Sequence, residues 1–197
     1  KIINNTPVRA KATLAAGMQA GLTNQSRPWF RLTAPTPELA EVSSVKEWLH
    51  TVETRVREVM ARSNIYNAFH MLYGDVATFG TGLLYIEEDA EDVIRCWVFP
   101  VGSYCLGLDS RGRVSTVFRE TSMTVGQLGE EFKAENCSQR VRDMHAKNQL
   151  DAPVEIVHVI APNEEYQEGK MGPAGMKWGS CWFETTADAS TGMLRER

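Results

Sequence analysis

The sequence is poor in the features that announce chemistry. Its 197 residues hold four cysteines (Cys96, Cys105, Cys137 and Cys181) with no C-x-x-C pair, and four scattered histidines (His50, His70, His145 and His158). Zinc-ligand spacing is therefore excluded, and reduced thiols in an intracellular protein are the reading of the cysteines. An excess of basic charge is also lacking. The formal net charge is −4, so the electrostatic footprint of a protein that wraps nucleic-acid phosphates is missing. No long hydrophobic run is present. The most apolar N-terminal stretch, ATLAAGMQAGL at residues 12–22, falls far short of the ~20 residues a membrane span needs. No signal peptide is visible. The chain opens at Lys1 without a methionine and closes on TGMLRER, so both ends read as those of a fragment.

What is present is ordinary globular composition, 43% hydrophobic and 23% charged, enough to bury a core. Thr6-Pro7 reads as a helix start, with a helix over 8–22 whose Gly17 and Gly21 favour close packing on a neighbour. Residues 27–32 (RPWFRL) read as an extended segment with aromatic anchors, and residues 34–37 (APTP) as a stiff loop. Ser44-Val45-Lys46-Glu47 has the form of a capping box. Val45, Trp48, Leu49, Val52, Val56, Val59 and Met60 then form an apolar helical stripe, with Glu53 and Arg57 as an i,i+4 pair on the wet side. A further helix carries Ile65, Phe69, Leu72, Val76 and Phe79 on one face.

After Gly80 the period changes. Residues 83–87, 93–99, 104–108 and 114–120 read as short strands of an antiparallel meander, with turns at 88–92 and 109–112. Thr124 caps a short helix through Phe132, and residues 138–148 form another. Residues 154–160 and 177–184 read as strands, separated by a polar, glycine-rich loop at 163–175 that reads as mobile. The fold class is α+β: a mainly helical part at 1–80, then a mainly antiparallel β part at 81–197 with short helices near 124–148.

The phrase YGDVATFGTGLLYIEED at residues 73–89 has the glycines and acids of a candidate phosphate loop. A phosphate loop needs a strand, then glycines, then a helix N-terminus, with a lysine in the Walker form. Here the order is helix, glycines, strand, and no lysine follows Gly80. Glycines at a helix C-terminus face the wrong end of the dipole for an anion. Gly80 reads instead as a left-handed cap and Gly82 as a place of close backbone approach. The acids Glu87, Glu88, Asp89, Glu91 and Asp92 lack the glycine and terminal glutamate of a calcium loop and read as a solvated turn. Ser180-Cys181 lies in GSCW rather than G-x-S-x-G, and His158 in an apolar strand reads as a hydrogen-bonded core residue. The basic run at 140–147 is interrupted by Asp143 and reads as a solvated helix face. No catalytic, cofactor-binding or metal-binding residues are assigned, and the chain does not read as an enzyme.

Taken in order, these phrases resemble a known family, the head-to-tail connector or portal proteins of short-tailed bacteriophages. TPVRAKATLAAGMQAGLTNQSRPWFRL is similar to its opening helix and aromatic strand, and VKEWLHTVETRVREVMARSNIYNAFHMLYGDVATFGTGLLYIEED to its central helix pair and following strand. VIRCWVFPVGSYCLGLDSRGRVSTVFRE resembles its meander and PVEIVHVIAPN a later strand. The resemblance implies that residues 1–197 are the N-terminal wing portion of a longer chain. It further implies a structural role without cofactors, in a dodecameric ring at the capsid vertex that forms the conduit for DNA packaging and ejection. The implied partners are other copies of the subunit, capsid and scaffolding proteins, the packaging terminase, tail proteins and double-stranded DNA, with no membrane. The implied location is the virion, with the host cytoplasm during assembly. Two other readings stay open: an adaptor module of another virion or prophage protein, and a hydrolase using the acids at 87–92 with a metal.

Overall fold

The computed structural model of the chain describes residues 4–185 and 193–196. They fall into two compact units, Lys1–Val101 and Gly102–Arg197. Helices and antiparallel sheets make an α+β fold. Among the described residues no helix is long and apolar enough to cross a membrane.

The first unit contains α1 (Thr6–Leu22), the short α2 (Pro37–Glu41), α3 (Ser43–Arg62), α4 (Ile65–Phe79) and a hairpin of β1 (Leu83–Asp89) and β2 (Val93–Phe99). The switch from helix to strand at Gly80 thus falls inside a unit. The core forms where Ile65, Tyr66 and Ala68 of α4 meet Cys96 of β2, flanked by Met60, Phe69, Leu84, Ile94 and Val98. Asn64 locks this junction. Its side chain donates to the carbonyl of Cys96 at 2.8 Å and accepts from the Cys96 amide at 2.9 Å, filling both backbone groups of one strand residue. Helix α1 is held on α4 by polar contacts as much as by burial. Gln19 donates to the Tyr66 carbonyl at 2.8 Å and meets His70 Nδ1 at 3.0 Å through its other amide atom, while Tyr73 donates to the Thr23 hydroxyl at 3.1 Å. The 27–32 segment forms no strand; Trp29 stacks edge-on against Phe30 and Phe69 and donates to the Tyr66 hydroxyl.

Several local expectations are corrected here. Asn5 rather than Thr6 is the N-cap of α1, and Asn4 accepts the Thr6 amide through its side chain. Pro37 opens α2 rather than closing a loop, as proline in a first turn can. The capping box at 44–47 is not made. Helix α3 begins at Ser43 behind Val42, so Ser44 lies within the helix and caps nothing. Glu53 does not pair with Arg57 but turns to accept the Leu32 amide at 3.3 Å. Gly17 and Gly21 face open space, with nothing within 4 Å of an added Cβ. Phe79 does not complete a buried face, being 58% exposed.

The second unit is built on a five-stranded antiparallel sheet in sequence order: β3 (Tyr104–Leu108), β4 (Val114–Thr124), β5 (Pro153–Pro162), β6 (Trp178–Glu184) and β7 (Met193–Glu196). The expected single meander is therefore two sheets, parted between Phe99 and Tyr104, and β7 is an edge strand that the sequence reading did not contain. Between β4 and β5 lie α5 (Val125–Phe132) and α6 (Gln139–Ala146). They cover one sheet face with Val125, Leu128, Phe132 and Val141 over Val154, Ile156 and Leu194. Thr124 makes the capping box that the α3 start lacks: its hydroxyl accepts from Gln127 N and its amide donates to the Gln127 side chain. Ser138 likewise caps α6. The loop at 163–175 is organised by Asn163, whose side-chain amide donates to the carbonyls of Pro173 and Met176 at 3.0 and 2.9 Å.

Candidate functional site

The corner after α4 is a change of direction from helix to strand. Gly80 adopts φ +74°, ψ +1° and donates its amide to the Val76 carbonyl at 2.9 Å, closing the helix in a left-handed cap. Gly82 is needed for a different reason. A Cβ there would lie 2.7 Å from Leu72 Cδ1, so the strand leaves the corner in contact with the helix it follows. The groups pointing out of this corner are helix carbonyls, which repel an anion. Its glycines serve shape.

The acidic turn that follows is tied up by the chain's own donors. Asp89 Oδ1 accepts from the amides of Glu91 and Asp92, each at 2.8 Å, and Oδ2 accepts from Arg95 Nε at 2.7 Å. The Asp92 amide, then Arg95, then the Glu91 amide hold the Asp89 carboxyl at about 2. Glu87 accepts from Trp97 Nε1 across the hairpin at 2.5 Å. The turn also places Val93 at φ +73°, a region that β-branched residues rarely occupy. Among the described residues no three His, Cys, Asp or Glu side chains converge as a metal would require.

In the second unit the strand register assembles a contact that sequence spacing could not show. Position 158 of β5 pairs with Arg119 of β4 and with Trp182 of β6, and His158 Nε2 lies 2.8 Å from Ser180 Oγ. A histidine beside a serine is the geometry of an activated nucleophile, but its environment argues otherwise. His158 is 1% exposed and lies flat on Trp182, centroids 3.8 Å apart and planes 8° from parallel. Burial first, and the Arg119 charge second, lower its pKa to about 4. Such an imidazole is too weak a base to take a serine proton near neutrality, and it reads as a core hydrogen bond, as expected from its place in an apolar strand. Nearby, Glu184 is 2% exposed and accepts from the Ser138 amide and hydroxyl at 2.7 and 2.6 Å, fixing the start of α6 to β6. Arg142 of α6 is engaged locally: it donates to the Glu135 carbonyl and to Gln139, and Gln139 donates to Asp143.

Among the described residues these features are devices of shape and stability, spread over both units. All of residues 1–197 match the family of bacteriophage head to tail connecting proteins. The chain belongs to that family. It is 40% identical over 196 residues to the portal protein of Salmonella phage epsilon15, covering 100% of this chain and 35% of that protein. It is 38% identical over 195 residues to the probable portal protein of Bordetella phage BPP-1, covering 99% of this chain and 35% of that protein. The connector chain thus spans about a third of the length of the curated relatives it matches.

Proposed function

We propose that this chain is the N-terminal wing portion of a portal subunit, a structural component rather than a catalyst. Identical subunits form a dodecameric ring at one capsid vertex. The ring is the conduit for DNA packaging and ejection and the platform on which the packaging terminase, capsid and scaffolding proteins, and tail proteins dock. The observation that carries this reading is the match to the connector family over every residue, with portal proteins among the relatives. The Gly80 corner is compatible with a structural role: its glycines follow a helix rather than precede one, and so form no phosphate loop. The mild net charge of −4 suits a conduit wall along which DNA must slide without strong counterion release.

The test is assembly of the complete subunit. Native mass measurement and electron microscopy of the full-length protein should show closed rings of identical subunits. A complete subunit that stays monomeric across protein concentration, salt and temperature would overturn the proposal.

A further inference from the structure

We propose that the uncovered face of the five-stranded sheet is the seat of the chain segment that immediately follows Arg197 in the complete subunit. This rests on the reading of residues 1–197 as the N-terminal portion of a longer protein.

The strand register defines the face. Side chains alternate across a strand, so residues between those packed under α5 and α6 point the other way. Val154, Ile156 and His158 of β5 lie on the covered side, with Trp182 of β6. The opposite side carries two rows in register, Cys105–Phe118–Val159–Cys181 and Val157–Phe183. Phe118 is 46% exposed, and Cys105 is exposed beside it. An antiparallel sheet with one wet face ordinarily turns its polar residues toward water. Here the middle of the sheet is reversed. His158, Ser180 and Glu184 lie on the helix-covered side, and the apolar rows face out. The run from Val154 to Ile160 is thus written for a strand covered on both sides.

Connectivity picks the occupant. This chain covers 35% of each curated relative, so those proteins are about three times as long. Strand β7 lies at the sheet edge beside β6, and the residues after it start at the border of the open face. The helices that follow β4 fold straight back onto the other face and cover it. The next element in sequence has the open face at hand, and consecutive elements usually lie together. Four strand spacings of ~4.8 Å separate β7 from β3, so ~6 extended or ~13 helical residues cross the whole sheet.

Thiol labelling of the complete subunit tests this. Cys105 and Cys181, the cysteines that are not buried, both stand on this face, whereas Cys96 and Cys137 are buried. With a maleimide and peptide mass spectrometry, Cys105 should react at least about tenfold more slowly than a reference thiol introduced by Ser110→Cys in the exposed β3–β4 turn. The protection should be the same in rings and in subunits kept too dilute to assemble. A benzoylphenylalanine replacing Phe118 should photo-cross-link within its own chain to residues beyond Arg197. Cross-links to a second copy or to residues 1–101 overturn the inference, as does protection of Cys105 that appears only on ring formation. Rings in which Cys105 reacts as fast as the reference thiol overturn it while leaving the ring reading intact. Intrachain protection in a subunit that never assembles counts against the ring alone.

Discussion

Acid should loosen the second unit in a pH range set by one buried histidine. His158 is sealed between β4, β5 and β6 against Trp182, with the Arg119 guanidinium beside it, and its pKa falls from 6.5 to about 4. Below pH 6.5 the unfolded chain therefore binds a proton that the folded chain refuses. The stability this group contributes is complete above pH 6.5 and is lost as the pH falls from 6.5 to about 4, after which the loss stops growing. A displacement of this size corresponds to about 3 kcal/mol as an upper figure. That is a large fraction of the ~5–15 kcal/mol that stabilises a typical domain. Urea unfolding followed by tryptophan fluorescence, at a series of pH values across that window, measures the slope. His158→Gln keeps a side chain able to bond Ser180 but cannot titrate, so its stability should depend on pH less steeply by one proton. Asp89 acts in a separate, lower window. Its depressed carboxyl contributes stability above 3.8 that is lost as the pH falls toward about 2, and the His158 substitution should leave that limb unchanged. An imidazole resonance titrating at the ordinary histidine position would refute the reasoning. So would an equal slope in wild type and variant.

Two further outcomes test the local geometry. Gly82→Ala should destabilise by about 1 kcal/mol, because the new methyl meets Leu72 Cδ1 and that side chain must shift to admit it. Gly80→Ala should cost about 1 kcal/mol from backbone conformation alone, since its methyl meets nothing within 4 Å. Equal stability of Gly82→Ala and wild type in urea unfolding would show that the corner is looser than described. Thr124→Ala should cost about 1 kcal/mol by opening the α5 capping box. Ser44→Ala should stay within a few tenths of a kcal/mol, because Ser44 caps nothing; a loss at Ser44 matching that at Thr124 would restore the capping box at the start of α3.

What the sequence made legible was local. The four strands read between Leu83 and Glu120, the αL cap at Gly80 and the Thr124 cap all depend on residues within a few positions of each other, and each is present, with β1 running two residues and β4 four residues further than read. The failed capping box is also local in form, but α3 starts one residue earlier than that pattern requires, at Ser43 behind an extended Val42, which leaves Ser44 inside the helix. Non-local facts stayed hidden. His158 and Ser180 meet only through the β5–β6 register, which no spacing encodes. Gly17 and Gly21 have the pattern of a packing face, yet α1 meets α4 along its other side, through Ala15, Gln19 and Thr23. The apolar stripe of α3 is clear in the sequence, but none of its residues is fully buried and Trp48 remains 63% exposed. Periodicity gives the direction of such a face, and only packing shows how much of it is covered.

The order of the second sheet bears on how the chain comes to be folded. Each strand from β3 to β7 lies beside the one made just before it, and the longest detour, through α5 and α6, is spent on helices that cap themselves. Pairing can therefore advance from the first strand to the last without waiting for a distant segment, which keeps the search short and limits the time that unpaired edges are exposed. During synthesis each strand would emerge to find its partner already standing. A sheet built this way is finished as soon as its last strand is made.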